Sequence, residues 1–383
     1  MVFAGNNWDG TADVLRFTPP SKSRPASFSR IARLNIIPDR DQRMQEILTN
    51  PQRLAYFLAI RQLVGEGHDQ FVDDMYSTKD GSHLIVSRPS FADVVSIDIP
   101  TGQIAWRFAV DGQRSDHMAI SPDGKHVAVS ASTGNVVHVL DSATGQEAWR
   151  FPSGDSPHEN TYSRDGSRIY HASIGLVYTP LDQPLLDSTK GDRRFAIVDT
   201  NTHQVLKTLD MGEKLAEAGY PNMSAAVRPM ALSPDEQSVY FQVSFFHGFV
   251  EYDFARDRVT RVANLPKFTN EPRENYLLDS AHHGIAMNGA GTKLCVAGTM
   301  DDYAAIVSRQ TFSHSLIHAG EKPYWSTNST DGEYCFVSWS GTDSLSAISY
   351  DTEREVARIQ VGEHPQRVRN GVVRTNWASA QTP

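Results

Sequence analysis

The stretch HMAISPDGKHVAVSASTGNVVHVLDSATGQEAWRF, residues 117–151, contains four short apolar segments separated by polar turns. The segments are HMAIS, HVAVSAS, VVHVLDS and EAWRF, and the turns between them hold the Gly, Asp, Asn and Pro residues that favour tight turns. Four short strands joined in this way predict one antiparallel sheet.

The same pattern recurs along the chain. Further copies cover residues 68–110, 158–210, 227–264, 282–318 and 323–361. Because one such sheet cannot protect its own edges, repeated four-stranded units indicate a β-propeller. With residues 117–151, the copies predict six complete blades.

The two ends of the chain supply a seventh blade. Residues 362–375 begin another first strand and stop, whereas residues 1–37 contain three strands with no first strand before them. We therefore predict an all-β, seven-bladed β-propeller, a ring closed by N-terminal strands pairing with the C-terminal strand. Residues 1–383 are expected to form this single domain.

A helical insert interrupts the pattern at residues 38–67, near residues 40–66. Apolar residues occur there at helical spacing, and Pro51 stands where a second helix would begin. We expect two short amphipathic helices over the rim of the ring. They act as a lid or, through a face with Arg53, Arg61 and Gln62, as a contact with a partner or in a homodimer.

Charge and hydropathy limit the partners. The net charge is -9 with dispersed basic residues, which argues against nucleic acid. No apolar run approaches the roughly 20 residues of a membrane span, so no membrane partner is expected. We expect a soluble protein, cytoplasmic as the chain stands, or secreted or periplasmic if a signal peptide was removed.

Two cysteines occupy equivalent places in neighbouring repeats, Cys295 in TKLCVAG and Cys335 in GEYCFVS. Cysteine is scarce in this chain, and free cysteine behaves as a small buried apolar residue. We expect two buried thiols rather than a disulfide.

The motifs SPDGK (121–125), VHVLDSATGQ (137–146), AIVDTNTHQV (196–205) and SAISYDTEREVARIQVG (346–362) resemble those of YVTN-type seven-bladed β-propeller repeat proteins. The resemblance covers nearly the whole chain. It implies the propeller fold but not an activity, because these motifs form the turns and core strands of the scaffold.

Long interruptions all fall on one face of the predicted ring. Turns after first and third strands are short, whereas residues 38–67, 173–192, 211–226 and 265–281 follow second or fourth strands. Long loops on a rigid scaffold are often functional, although they could also simply cover strand ends. We expect the functional site on this face, at the mouth of the channel.

Histidines recur where the first strands begin, on the same face. The metal-ligand candidates are His117, His158, His283 and His364, with His68 the least well aligned. Neutral imidazoles that converge on one axis suit zinc, iron or copper. Only one of His282 and His283 is expected to face the channel, since adjacent strand residues point in opposite directions. A histidine bonded to a backbone carbonyl is the alternative for each one singly.

Other side chains are expected in the same funnel. The catalytic candidates are His117, His158, Glu159, His283 and Arg228, and Asp73 or Asp74 could complete a metal site. Arg228 would bind an anionic group of a ligand, or form a salt bridge with Asp279 or Glu159. The substrate-binding candidates are Tyr324, Trp325, Phe246, His247, Tyr178 and His364. Aromatic residues also wedge between propeller blades, which is the alternative for each of them.

Missing motifs narrow the reaction. The chain has no nucleophile elbow, P-loop, dinucleotide fingerprint or haem-attachment motif, so we expect no nicotinamide, flavin or ATP. The leading hypothesis is an enzyme with a His-rich, metal-binding site that acts on a small organic substrate. It would be an isomerase, lyase, cyclase or hydrolase, or carry out a metal-assisted oxidation. The alternative is a non-catalytic propeller that binds a ligand or a protein.

Overall fold

The computed structural model describes residues 1–177 and 183–381. Within them the chain forms seven antiparallel sheets of four strands each. The first strands of successive sheets contact one another around a ring, so each sheet is one blade of a propeller. The predicted seven-bladed fold is confirmed.

The blade that closes the ring, blade 7, combines the two ends of the chain. Its inner strand is β28 (Pro365–Asn370), and its outer strands are β1 (Val2–Asn6), β2 (Thr11–Thr18) and β3 (Ser27–Asn35). Strands β1 and β28 pair antiparallel, with Phe3 opposite Arg369. This pairing confirms the predicted closure.

Blades 1 to 6 follow in chain order. Blades 1 and 2 contain β4 (Asp74–Ser77), β5 (His83–Arg88), β6 (Asp93–Asp98), β7 (Ile104–Ala109), β8 (Ser115–Ile120), β9 (His126–Ala131), β10 (Val136–Asp141) and β11 (Glu147–Pro152). Blades 3 and 4 contain β12 (Pro157–Tyr162), β13 (Arg168–Ser173), β14 (Phe195–Asp199), β15 (Gln204–Leu209), β16 (Val227–Leu232), β17 (Ser238–Val243), β18 (Gly248–Asp253) and β19 (Arg258–Asn264). Blades 5 and 6 contain β20 (Ile285–Met287), β21 (Lys293–Gly298), β22 (Tyr303–Ser308), β23 (His314–Ile317), β24 (Pro323–Asn328), β25 (Tyr334–Trp339), β26 (Ser344–Ser349) and β27 (Arg354–Gln360).

The helices lie in the connections and at the C-terminal end. They are α1 (Arg40–Leu48), α2 (Pro51–Leu63), α3 (Met211–Glu217) and α4 (Thr375–Ala380), with 3₁₀ turns at Pro89–Phe91, Pro184–Lys190, Arg273–Asn275, Leu277–Asp279 and Thr299–Asp301. The insert therefore holds the two predicted helices. Pro51 is the first residue of α2, and the side chain of Asn50 caps that helix. No helix in the described part of the chain is long and apolar enough to cross a membrane.

Apolar side chains pack between neighbouring blades. Between blades 3 and 4, for example, Tyr170 packs in one cluster with Phe241 and Tyr252. The insert adds to such a cluster, because Phe57 of α2 joins Phe71 at the start of blade 1. This packing fixes the blades around the axis, where the first strands carry polar side chains instead.

The expectation of two free thiols is wrong. Cys295 on β21 and Cys335 on β25 form a disulfide, with their Cα atoms 6.4 Å apart. Equivalent positions on the second strands of adjacent blades face each other across the blade interface. The repeat register thus brings the two sulfur atoms together. The small number of cysteines did not indicate this pairing.

Candidate functional site

Three of the predicted histidines meet in one cluster. His117, His158 and His283 each offer a ring nitrogen, and the three nitrogens lie within 4.8 Å of one another. The Nε2 atoms of His158 and His283 are 3.5 Å apart. The side chains are almost wholly buried, with 2%, 4% and 1% of their surface exposed.

Bulges in the first strands position two of these side chains, His117 and His158, while His283 lies just before its strand. The pairing with the second strand shifts register between Ser115 and Met118 in blade 2, and between Pro157 and Asn160 in blade 3. Blades 4, 6 and 7 show shifts at Val227/Met230, Pro323/Trp325 and Ala4/Asn6, the last opposite Val368 and Pro365. These bulges contain His117, His158, Glu159, Arg228, Tyr324 and Arg367. A bulge re-aims a side chain, so one irregularity repeated around the ring builds the site.

Burial keeps the three imidazoles neutral. It lowers the pKa of His117, His158 and His283 well below the ordinary value of 6.5, and the nearby Arg367 guanidinium lowers each pKa further. Neutral imidazole is the form that binds metal ions. The cluster therefore presents three nitrogen ligands without any change of protonation.

Glu159 holds the His117 ring. Its Oε2 lies 2.7 Å from His117 Nδ1, and the pair shares a hydrogen bond. Burial raises the pKa of Glu159 to about 8, although Arg367 and Arg369 oppose this shift. A carboxylate on the outer nitrogen of an imidazole orients the ring, as is typical of metal-bound histidines.

Arg367 is the main residue that the sequence analysis missed. Its guanidinium is fully buried, stacks 3.8 Å from the centre of the Trp325 rings and donates from Nη2 to His117 Nε2. Its Nε and Nη1 have no hydrogen-bond partner among the described residues. The nearest carboxylate oxygens, on Asp73 and Asp74, are 3.9 and 4.0 Å away.

Arg228 is the second buried arginine of the site. Ser244 Oγ accepts hydrogen bonds of 3.0 and 2.9 Å from its Nε and Nη2, and the Leu278 carbonyl accepts a further one from Nη2. Its Nη1 has no partner in the part of the chain that the structure describes. Asp279, predicted as an alternative partner, binds Lys190 Nζ at 3.0 Å instead.

The two aspartates of blade 1 differ. Asp74 accepts two hydrogen bonds, of 2.9 and 2.8 Å, from Arg369 and a third from the backbone N–H of Met118. Asp73 approaches Asp116 and His117, with one ligand atom of each within 4.8 Å of the others. Burial raises the pKa of Asp73 to about 7.

Two predicted aromatic residues border the histidines. The Tyr324 ring centre is 4.3 Å from that of His283, and Trp325 packs against Arg367. Phe246 lies further out, in the lining of a cavity of about 360 Å³ that also includes Ser244 and Arg273. Tyr178 falls outside the described residues.

The structure does not bring His364 into the cluster. Its ring stacks on Trp8 at 4.0 Å, and His68 stacks on the other side of Trp8 at 3.8 Å. His364 precedes β28, whereas Arg367 lies in the bulge of that strand. Arg367, not His364, thus stands where His117 stands in blade 2.

The adjacent histidines of blade 5 separate. His283 joins the central cluster, whereas His282 points away from it, toward Asp301 and His247. His247, predicted as a substrate-binding residue of the central funnel, therefore lies in a separate group. Successive side chains of an extended chain point in opposite directions, so this divergence agrees with the expectation.

Comparisons with known proteins agree with the fold. The family described as outer membrane protein assembly factor BamB matches residues 70–213, which hold blades 1 to 3. No curated protein sequence matches the chain. Among solved structures, Kuenenia stuttgartiensis hydrazine synthase is similar, with 16% identity and a TM-score of 0.58. That alignment covers 77% of this chain and 88% of the other, and at such identity it shows the propeller fold alone.

Proposed function

We propose that this protein is an enzyme in which His117, His158 and His283 bind a transition metal and act on a small anionic substrate. The observation that carries the proposal is the convergence of three buried, neutral imidazole nitrogens within 4.8 Å. Three nitrogen ligands that leave a coordination position open are typical of catalytic zinc, and iron and copper accept the same donors.

The surrounding residues fit such an ion. Glu159 supplies the outer hydrogen bond on His117 Nδ1, which leaves Nε2 as the ligand atom. Arg367 donates to that Nε2 in the arrangement seen, so metal binding would release its Nη2 toward the substrate. When bound, the ion would polarise a substrate oxygen or lower the pKa of a water molecule.

An anionic substrate follows from the charges of the channel. The described first strands carry three arginines, Arg228, Arg367 and Arg369, two carboxylates, Asp74 and Asp116, and the carboxyl group of Glu159, whose pKa is raised to about 8. A divalent ion on three neutral imidazoles would add two positive charges, which a bound anion offsets. The N–H groups of Arg367 and Arg228 that lack partners among the described residues would hold its carboxylate or other oxyanion.

Two carboxyl groups supply proton transfer near neutral pH. The pKa of Glu159 is raised to about 8 and that of Asp73 to about 7, both by burial. Groups with a pKa near the working pH are effective general acids and bases. This supports isomerisation, elimination, cyclisation or hydrolysis, and a redox-active ion would extend the set to metal-assisted oxidation.

Metal analysis of protein purified without added metal tests the proposal. We expect wild type to contain about one equivalent of transition metal more than the variant that combines His158→Ala with His283→Ala. The control is His314→Ala, which removes an exposed histidine of β23. Equal metal content in wild type and the double variant would exclude the site.

The disulfide supports an oxidising compartment. Cys295–Cys335 is buried between blades, and disulfides persist mainly outside the reducing cytosol. The BamB-type match over residues 70–213 agrees with a periplasmic location. We also propose that the repeats are of the YVTN type, because their motifs resemble those of that family.

A protein-interaction role is the second candidate, favoured by the insert. Helix α2 buries Phe57 and Ile60 but exposes Leu58 and Leu63 at 46% and 54%. Exposed leucines beside a packed face suit a homodimer or a partner contact. Light scattering over the micromolar range would measure the masses of wild type and Leu58→Glu. A wild-type mass equal to that of a single chain would exclude the homodimer.

A further inference from the structure

A second cluster of ligand-type side chains lies apart from the central histidines. His247 Nδ1 and His282 Nε2 are 2.5 and 3.2 Å from the same oxygen, Asp301 Oδ2. The His282 and Asp301 side chains are fully buried, and that of His247 is 12% exposed. The ligand atoms of all three residues lie within 4.8 Å of one another.

Three separate segments of blades 4 and 5 supply this cluster. His247 lies between β17 and β18, His282 precedes β20, and Asp301 ends the 3₁₀ turn Thr299–Asp301. These segments lie at the mouth face, where solvent reaches the edge of His247. Because His282 and His283 are adjacent and diverge, the same stretch of chain serves both clusters.

Asp301 is held so that one oxygen faces both imidazoles. Its Oδ1 accepts hydrogen bonds of 2.7 and 2.9 Å from the backbone N–H groups of Phe268 and Thr269. Its Oδ2 is left to His247 and His282. On the far side of His247, the Tyr276 hydroxyl lies 3.0 Å from Nε2. A carboxylate and an imidazole that are each fixed from behind have the outer hydrogen bonds usual for metal ligands.

Buried polar atoms without partners concentrate around the same cluster. They are Ser280 Oγ, His282 Nδ1 and Thr299 Oγ1, none of which has a hydrogen-bond partner among the described residues. The two segments that carry them are joined by a 3.0 Å hydrogen bond from Met300 N–H to the Ala281 carbonyl. Buried polar atoms are nearly always satisfied, so three in one place indicate bound water or an ion nearby.

We propose that His247, His282 and Asp301 form a second binding site for a divalent transition metal. Two imidazoles and one carboxylate suit iron(II), zinc or manganese, and they leave positions for water or a small ligand. The site is independent of the central one, because none of its ligands belongs to the first cluster. A hydrogen-bonded His–Asp–His network without metal is the competing explanation.

Zinc titration followed by calorimetry separates the two explanations. The background combines His158→Ala with His283→Ala, which removes the central cluster and leaves the second one intact. In that background we expect one equivalent of zinc to bind. His247→Gln keeps an N–H donor for Asp301 but removes the imidazole ligand, so it should weaken zinc at least 100-fold with an unchanged melting temperature.

Two further variants sharpen the result. His318→Ala removes an exposed histidine whose ring lies 5.9 Å from that of Tyr303 in the same blade, and it should leave zinc affinity unchanged. Tyr276→Phe removes the hydroxyl at His247 Nε2 and should weaken zinc about tenfold.

The proposal is overturned if the background variant binds no zinc, or if His247→Gln binds it as tightly as its parent. The outcome is separate from that of the central site. If wild type binds one equivalent that only His247→Gln removes, the second site stands and the central metal site fails.

Discussion

The two ends of the propeller channel use carboxylates in opposite ways. At the face of the short turns, Asp165 is exposed, and Ser163 Oγ and the Ser167 backbone N–H lower its pKa to about 2. At the mouth, Glu159 is buried and bonded to a histidine of the neighbouring blade, and burial raises its pKa to about 8. The first carboxylate closes a local turn, whereas the second links two blades.

The difference separates scaffold from site. Asp123, Asp165 and Asp235 each accept hydrogen bonds from a serine two residues before and a backbone N–H two residues after. Local turns of this kind stabilise blades 2, 3 and 4 in the same way. The charged residues of the mouth differ from blade to blade, and some of them have partners in another blade, as Glu159 has in His117 and Asp74 has in Arg369. The turns of the scaffold thus repeat the same residues, whereas the mouth places different side chains at equivalent positions.

The largest effect is expected from removal of a buried aspartate. Asp74→Ala leaves Arg369 without its two hydrogen bonds in the channel wall, and a buried charge without its partner costs about 3–5 kcal/mol. Asp123→Ala removes only a local turn at an exposed position, for which we expect less than about 1 kcal/mol. Urea unfolding measures both. Similar losses would show that the two faces do not differ in this way.

A medium effect is expected from the disulfide, which belongs to the scaffold. The bridge closes a loop of 40 residues between blades 5 and 6, so Cys295→Ala with Cys335→Ala should lower the free energy of unfolding by about 2–4 kcal/mol. Reduction of wild type should have the same effect. Because both cysteines lie outside the mouth, metal content should stay unchanged. A loss of metal in the folded double variant would contradict the separation of scaffold from site.

The sequence predicts the ring better than the site because repetition carries the ring. Alternating apolar segments and tight turns predicted every blade and the closure, since these patterns follow from local geometry. The convergence of His117, His158 and His283 followed from their place in the repeat.

The rest of the site depends on bulges and on contacts between distant blades. His364 recurs where its first strand begins, which predicts a place in the cluster, but a bulge in β28 puts Arg367 there instead. The His247–Asp301 contact likewise joins two blades that no local pattern relates. A search for charged residues two or three positions into each first strand would have found Arg367.

The smallest expected effect is on the pH dependence of the free energy of unfolding, and it concerns His364 at the mouth. Burial lowers the pKa of His364 to about 3, so between pH 6.5 and 3 the unfolded chain binds a proton that the folded protein does not. Stability must therefore fall as the pH is lowered through this range, by about 2 kcal/mol from this residue at pH 5.

His364→Gln removes this dependence, although it also weakens the stack on Trp8 at every pH. The quantity to compare is the difference between the free energies of unfolding at pH 7.5 and pH 5, which should be smaller by about 2 kcal/mol in the variant than in wild type. His314→Gln, at an exposed position on β23, should retain the wild-type difference. If His364→Gln also retains it, the mouth does not hold this imidazole neutral.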